Sequence, residues 1–513
     1  MPPRIVLPST WVDPGSLAAR AIQFITAERS SAWLVGGAVR DRLLNRPCHD
    51  LDVLVMEDAI RLARQLANRL RGKFHVLDAD RDYGRALLSV PGEDEPLVVD
   101  VARIRNGDLL ADLRSRDFTV NAMAVRLKPD LSGELVDPLG GLSDLEQGLL
   151  RQAGPDALAA DPVRLLRAPR LAHELGLRMA PDLIREVRQR APLLSEASVE
   201  RVRDELWRLI GVPGCARNVR VLRQLGLTAQ VLPELEDLAG VEQGPPHRYS
   251  DVLEHTLQAV HAVDRFLLLA LGEAPTRDVP EALLWDAMTP HLPDLRRWFT
   301  EALGYQRTRA GWLRWIALMH DWGKPYARTV DESGRVRFIG HDKVGQMLAR
   351  RRLNALRFSR REVHFAATLV RQHMRPLLLL TRSEDPSRRA VYRLRRDLAD
   401  GIIDAIWLAL ADHRATYGPD LAMDDWQRVV RRAMSVVREA LSQQAVEAAH
   451  PLIDGRTVIE QLGIAPGPLV GRILAAIREA QAVGEVTTAE EALSLARRIA
   501  EGGAAGSQNR GDD

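Results

Sequence analysis

The stretch "WLVGGAVRDRLLNRPCHDLDVLV", residues 33–55, decides how this chain is read. An apolar run ends at Gly36 and Gly37, a helical segment "AVRDRLL" follows, and a second apolar run opens with Asp50 and Asp52. Side chains on a strand alternate faces, so Asp50 and Asp52 point the same way. Two carboxylates on one face repel each other unless a cation lies between them, and magnesium prefers carboxylate oxygens shared with substrate phosphates. Asp100, in "LVVDVAR", puts a third acid on a run able to pair beside the first. Three acids on neighbouring strands suit two metals and an in-line phosphoryl transfer. For the acid pair alone, a strand end with solvated aspartates is the plainer reading. The preceding turn shifts the balance: Gly36 and Gly37 allow close backbone approach, the free N–H groups of the next helix favour an anion, and Arg40 adds a cation.

With 513 residues the chain exceeds a single hydrophobic core, and two to four domains are expected. Lys+Arg and Asp+Glu, 71 and 69, nearly cancel, so any basic surface must be local. Cys48 and Cys215 are the only cysteines, which argues for a reducing compartment and against a disulfide framework. The opening "MPPRIVLPST" lacks the apolar core of a signal peptide, and no apolar run approaches the roughly 20 residues of a membrane span. The expectation is a cytoplasmic protein with no membrane partner.

Residues 31–152 mix strands ("AWLVGG", "DLDVLV", "ALLSV", "PLVVDVARI") with an amphipathic helix, "DAIRLARQLANRLRG", for which Asp58 is the expected N-cap. An N-terminal arm, 1–30, precedes them. From about 155 the apolar spacing is helical, giving a neck over 153–240 that ends in the Gly/Pro-rich "GVEQGPPHRYS". A second helical domain covers 241–420, with a polar, Pro-punctuated insertion at about 271–310. A C-terminal helical region, 421–500, and a disordered tail, 501–513, complete the expectation. The fold class is α+β: a small mixed-sheet head followed by all-helical domains.

The motifs "LVGGAVRDRLL…HDLDVLV", "SRDFTVNAMAV" (115–125), "DPLGGLSDLEQGLLR" (137–151), "DPVRLLRAPRLAHELG" (161–176) and "SVERVRDEL" (198–206) follow one another in order. Together they resemble the class II tRNA nucleotidyltransferase and bacterial poly(A) polymerase family. The resemblance implies a nucleotidyltransferase head in which Asp50 and Asp52 hold catalytic magnesium, with Asp100 as the third acid. It implies that Gly36, Gly37 and Arg40 meet the triphosphate, and that Arg116 and Asp117 hold phosphates and ribose with Asn121 supporting them. For Asn121, a bond to neighbouring backbone is the plainer alternative. The implied reaction is attack of an RNA 3′-hydroxyl on the α-phosphate of ATP or CTP, with the tRNA 3′ end as partner.

In "ADPVRLLRAPRLAHELG", Asp161 and Arg164 lie three apart and share a helix face. The resemblance implies that they, with Arg167, read the incoming base. Asp161 also precedes Pro162 and suits an N-cap with proline at N1. The chain departs from the family pattern at Ala160, where an acid is usual, at Leu171, where Phe is usual, and at Pro169, expected to kink the helix. Addition of C, C and A, or of part of that triplet, stays open.

The second half carries His255 in "SDVLEHTLQAV", His320 and Asp321 in "LMHDWGKP", His341 in "IGHDKVG", His373 in "VRQHMRP" and Asp412 in "LALADHRA". Imidazoles with carboxylates suit divalent transition metals. Singly, each histidine reads as a core or surface residue. In this order, around "HD-x-GK", they are similar to the HD-domain metal phosphohydrolases. That similarity implies a six-residue ligand set for manganese, nickel or magnesium and hydrolysis of phosphate esters, 2′,3′-cyclic ends included. Segment 452–498 also looks like the C-terminal part of such two-domain enzymes, though plain helical packing explains its residues equally well.

The leading expectation is therefore a metal-dependent tRNA nucleotidyltransferase with an HD phosphohydrolase domain. Alternatives are a poly(A) polymerase, a phosphohydrolase with a nucleotide-sensing head, a regulatory uridylyltransferase, and a silent RNA-binding protein. Oligomeric state is not legible.

Overall fold

The computed structural model describes residues 5–7, 12–29, 31–48, 50–89, 96–249, 251–382, 384–443 and 451–505. The chain divides into two compact units, residues 1–205 with 220–231 and residues 206–219 with 232–513.

The first unit holds an eight-stranded sheet: β1 (Ile5–Leu7), β2 (Ala32–Val35), β3 (Asp50–Val55), β4 (Lys73–Asp78), β5 (Tyr83–Leu88), β6 (Leu97–Arg103), β7 (Ala124–Leu127) and β8 (Gly133–Val136). Their order is β1-β8-β7-β2-β3-β6-β5-β4. Only β3 and β6 run parallel; the other pairs are antiparallel. A parallel pair needs a crossover. Here helix Ala59–Arg69 lies within the crossover and buries Ala59, Leu62, Ala63, Leu66 and Ala67, the three-and-four spacing legible in the sequence. The four strands expected from apolar runs form β2, β3, β5 and β6, in the centre and one flank of the sheet. β4, β7 and β8 carry no comparable signal; β4 is a largely exposed edge, and β7 and β8 are four residues each.

Asp58 occupies the N-cap position, as expected, but caps nothing. Its backbone is left-handed (φ 55°) and its side chain accepts no cap hydrogen bond. Asp82 takes that role instead, accepting from the N–H groups of Ala59 and Ile60 at 2.9 Å each. Asp161 likewise is no N-cap: it ends helix Ala157–Ala160, and the next helix, Arg164–Leu175, begins after Val163. That helix continues through Pro169, so the expected kink does not break it.

The second unit is helical. Helices Val252–Ala270, Arg309–Met319, His341–Ala355, Arg360–Gln372 and Ile402–Tyr417 build it around a buried aromatic core that includes Trp312, Trp315, Trp322 and Trp407. The Gly/Pro-rich 240–250 stretch, read as a boundary, falls inside this unit's range. The reason is packing: Glu234 is buried in an ion pair with Arg352 (2.9 Å), and Asp264 accepts from the Gly214 N–H (2.7 Å) and from Arg314 (2.6 Å). Segment 271–310, read as an insertion, folds into helices Val279–Met288 and Leu292–Thr300 and a short hairpin. It is tied in by Trp298 Nε1, which donates to Asp404 at 3.0 Å, and by Arg309, 4.2 Å above the Trp298 ring.

Helices Gly455–Leu462, Pro468–Ala482 and Ala489–Ala505 share a separate apolar cluster around Val458, Ile473, Ile477 and Ala492. The tail expected from 501 is helical as far as 505; the remainder lies outside the described residues. No helix among the described residues is long and apolar enough to cross a membrane.

Candidate active sites, one in each unit

In the first unit, strand alternation does what the sequence implied. Leu51 and Val53 are buried, Asp50 is exposed and Asp52 half-buried. Asp100 stands directly across from Asp52 in the parallel β3–β6 register. Gly36 ends β2 with φ 74°, and a Cβ there would come within 3.1 Å of both the Asp52 carboxylate and the Arg116 guanidinium. Glycine is thus required for the backbone to turn this close to both groups. Burial, with Asp100 and Asp50 adding to it against the pull of Arg116, pushes the Asp52 carboxyl up to about 6. A buried carboxyl with two further acids near it is held as an anion by a bound cation, so the donor set fits a hard divalent metal.

Asp100 is differently placed. Arg85 grips both of its oxygens (2.7 and 2.8 Å) and Tyr83 donates its hydroxyl at 2.8 Å. Sequence reading missed Arg85 and Tyr83; their one signal is alternation on β5, which puts both on one face.

The other expected nucleotide residues form two side-chain groups, one running from Arg40 to Arg167 and one around Asp161 and Arg164. Arg40 donates to Asn121 Oδ1 (2.5 Å) and, by two 2.9 Å bonds, to Asp41. Asn121 Nδ2 donates to Asp117 (3.0 Å), so its amide serves a side chain rather than neighbouring backbone. Asp117 also accepts from Arg167 at 3.1 Å, and Arg167 lies 3.6 Å from Glu205. Arg164 donates to the carbonyls of Ser115 (3.1 Å), Arg116 (3.3 Å) and Ala157 (2.9 Å), while its buried Nε makes no hydrogen bond. The carboxylate of Asp161 is held by Arg201 through bonds of 2.9 and 2.6 Å, with Arg164 3.7 Å away. Arg201 lies in the motif "SVERVRDEL", but only the fold brings it to Asp161.

In the second unit, all six expected ligands converge. His255, His320 and Asp412 form one buried trio, and Asp321, His341 and His373 another, each with donor atoms within 4.8 Å of one another. His255 Nε2 is 3.0 Å from Asp412, His320 Nε2 is 3.1 Å from Asp321, and His341 Nε2 is 3.2 Å from His373 Nε2. Three of the rings are fixed from behind: Nδ1 of His320, His341 and His373 lies 2.7, 2.7 and 2.8 Å from the carbonyls of Ala317, Phe338 and Val370. That contact assigns the proton to Nδ1 and turns the Nε2 lone pair inward, the arrangement a metal-ligating histidine needs. Nε2 of His255 and His320 and the Asp321 carboxylate are buried and turned toward one another, a donor set that fits divalent metal.

Burial pushes His373 down to about 4, helped by the charge on His320, and burial also lowers His341. For His320, burial is outweighed by Asp321 and Asp412, which raise it. Burial works against charge on Asp321 too, yet His320 and Lys324 hold it well below the carboxylate range. Lys324 Nζ lies 2.7 Å from Asp321 and donates to Gln243 at 2.7 Å. His247 stands with its ring 5.1 Å from that of His255, pushed down to about 4 by burial and by Lys324. Gln243 and His247 were read as part of a linker, since nothing local in "GVEQGPPHRYS" marks them.

Three family models match the chain: the poly A polymerase head domain over residues 32–151, the "probable RNA and SrmB-binding site of polymerase A" over 176–238, and the HD domain over 295–416. The chain is 37% identical over 477 residues to an A-adding tRNA nucleotidyltransferase of Deinococcus radiodurans, covering 92% of this chain and 96% of that one. It is 36% identical over 469 residues to a CC-adding tRNA nucleotidyltransferase of Thermus thermophilus, covering 90% and 92%. Among solved structures, a CCA-adding enzyme with ATP superposes with a TM-score of 0.60 at 20% identity (94% and 95% covered). A Thermotoga maritima CCA-adding enzyme complexed with tRNA gives 0.56 at 20% (96% and 99%). Head, neck and HD segment together define a nucleotidyltransferase joined to an HD domain. The chain belongs to the tRNA nucleotidyltransferase family.

Proposed function

We propose that this enzyme transfers nucleotides from CTP and ATP to the 3′ end of tRNA without a nucleic-acid template. The observation that carries the reading is the meeting of Asp52, Arg116 and the Gly36 turn within one small space at the end of β2 and β3. In the reaction, the RNA 3′-oxygen bonds to the α-phosphorus, the bond from that phosphorus to the bridging oxygen breaks, pyrophosphate leaves, and the hydroxyl proton passes to solvent. Magnesium held by Asp50 and Asp52 would supply Lewis-acid stabilisation of the charge on the transferring phosphoryl group. Gly36 and Gly37 let the backbone approach the triphosphate, and Arg40 and Arg116 neutralise it. Asn121 and Asp117 hold Arg40 and Arg167 in place. Asp161 and Arg164 address the base edge, which requires Asp161 to share its oxygens with Arg201.

The two relatives that span most of the chain add A in one case and CC in the other. Incubation with tRNA lacking its 3′ end, with ATP and CTP separately and together, separates the outcomes at single-nucleotide resolution. One to three added residues support the reading and state which part of CCA is made. Long adenylate tails would make the enzyme a poly(A) polymerase, and no extension would sink the proposal.

The convergence of six buried ligands favours a second activity, hydrolysis of phosphate esters in the HD domain. Manganese, nickel or magnesium held by the two trios would supply activation of a water near neutral pH. Lys324, tied to Asp321 and Gln243, would add a positive charge beside the metals to help hold a phosphate.

A further inference from the structure

Residues 241–249, which local sequence marks only as Gly/Pro-rich, are folded back against the ligand cluster of the second unit. The Val252 N–H donates to the Val241 carbonyl at 3.0 Å, Glu242 bridges Asp251 in antiparallel register, and Gln243 Nε2 donates to the Tyr249 carbonyl at 3.2 Å. Two outside contacts fix the loop in place. The Arg248 N–H donates to the Thr416 carbonyl at 2.7 Å, one turn beyond Asp412 on helix Ile402–Tyr417. Arg328 Nε donates to the Glu242 carbonyl at 3.3 Å.

This placement brings two side chains to the metal ligands. Gln243 is buried, and its Oε1 accepts from Lys324 Nζ at 2.7 Å. The same ammonium lies 2.7 Å from Asp321 and 5.4 Å from the centre of the Phe338 ring. His247 sets its ring at 86° to that of His255, with centres 5.1 Å apart. The charged groups that act on it include Lys324, Asp321 and Asp412, one acid from each trio. His247 therefore stands beside both trios while belonging to neither. Unlike Nδ1 of His320, His341 and His373, its Nδ1 bonds no backbone carbonyl.

The six ligands are buried, whereas His247 is half-buried, so its ring connects the cluster with solvent. Its Nδ1 is nonetheless enclosed and makes no hydrogen bond among the described residues. An enclosed polar atom left unbonded costs stability, and a ligand that supplies the missing bond recovers it. An imidazole carries at least one N–H and an ammonium three, so His247 and Lys324 put donors next to the metal ligands. Donors of this kind suit the charged oxygens of a phosphate. We propose that loop 241–249 is the substrate wall of the hydrolase site: His247 donates to a non-bridging phosphate oxygen of the ester, and Gln243 is a positioning residue that holds Lys324 toward the same phosphate. The inference rests on the reading of the second unit as a phosphohydrolase.

The test uses the full chain loaded with manganese, 2′,3′-cyclic AMP as substrate, and inorganic phosphate as a second probe whose binding is measured by calorimetry. His247→Phe keeps a ring against His255 and removes the donor. It is expected to raise KM and the phosphate Kd about tenfold, with retained manganese and melting temperature as in wild type. His247→Asn, which restores an N–H donor, is expected to recover most of the phosphate affinity. Gln243→Met is expected to raise KM about fivefold and to change kcat by less than about twofold, the split that a residue acting on substrate binding produces. KM and phosphate affinity unchanged in all three variants would overturn the wall while leaving the hydrolase reading intact. Manganese lost from His247→Phe would overturn it as well, by making His247 a metal ligand. A wild-type chain that retains manganese but neither hydrolyses the cyclic ester nor binds phosphate would overturn both readings.

Discussion

Asp52 and Asp100 face each other as direct partners on adjacent parallel strands, yet only Asp100 is neutralised, by Arg85 at 2.7 Å. The two acids divide the work. Asp100 is committed to Arg85 and Tyr83, whereas Asp52 is left facing the Gly36 turn with Arg116.

Asp52→Asn should abolish nucleotide addition while keeping the fold. Its stability effect has a definite sign. The folded carboxyl is raised to about 6, above its ordinary value. Its contribution is therefore fully present below about pH 4 and lost as pH rises through about 6, by roughly 3 kcal/mol in the metal-free protein. The asparagine variant loses this penalty, so its melting temperature without metal should exceed that of wild type at pH 7.5 and approach it at pH 4.5. Equal melting temperatures at both values, or near-wild-type turnover in saturating magnesium, would remove Asp52 from its assigned role.

Asp100→Asn should cost addition less than Asp52→Asn does, since the carboxylate is already engaged by Arg85. Arg85→Met should destabilise the head by about 2 kcal/mol, because it strands a buried carboxylate. Chemical denaturation of both variants, with single-turnover addition rates, checks the ranking. A larger rate loss for Asp100→Asn would return it to the metal-binding set.

Arg201→Ala frees the Asp161 carboxylate and should change base choice. An acceptor freed at a base edge changes its hydrogen bond to the base by on the order of 1–3 kcal/mol, and a shift of about tenfold in the ratio of kcat/KM for CTP and ATP is expected. Arg164→Ala should move the same ratio toward one, with an added uniform loss because Arg164 also holds the Ser115 and Arg116 carbonyls. A uniform loss alone in both variants would make the pair structural.

His320→Ala with Asp321→Ala should eliminate hydrolysis of 2′,3′-cyclic nucleotides in manganese, nickel or magnesium and spare addition, because the ligands lie wholly in the second unit. The double variant should also lose most of the divalent metal retained after gel filtration, measured by plasma spectrometry. Undiminished hydrolysis would point to another site.

Much of the chemistry was legible because it is local. Alternation placed Asp50 and Asp52 on one face, the apolar run around Asp100 supplied the strand beside them, and only glycine suits the turn at Gly36. The six candidate metal-binding residues of the second unit could be singled out because each sits in a short segment similar to the HD-domain pattern. What tertiary structure alone decided is which long side chain answers each charge. Asp82 rather than Asp58 caps a helix 22 and 23 residues away in sequence. Arg201 holds Asp161 across 40 residues, and Gln243 receives Lys324 across 81. The physical reason is that periodicity and turn chemistry act over a few residues, whereas a buried charge takes whichever partner packing brings within about 3 Å.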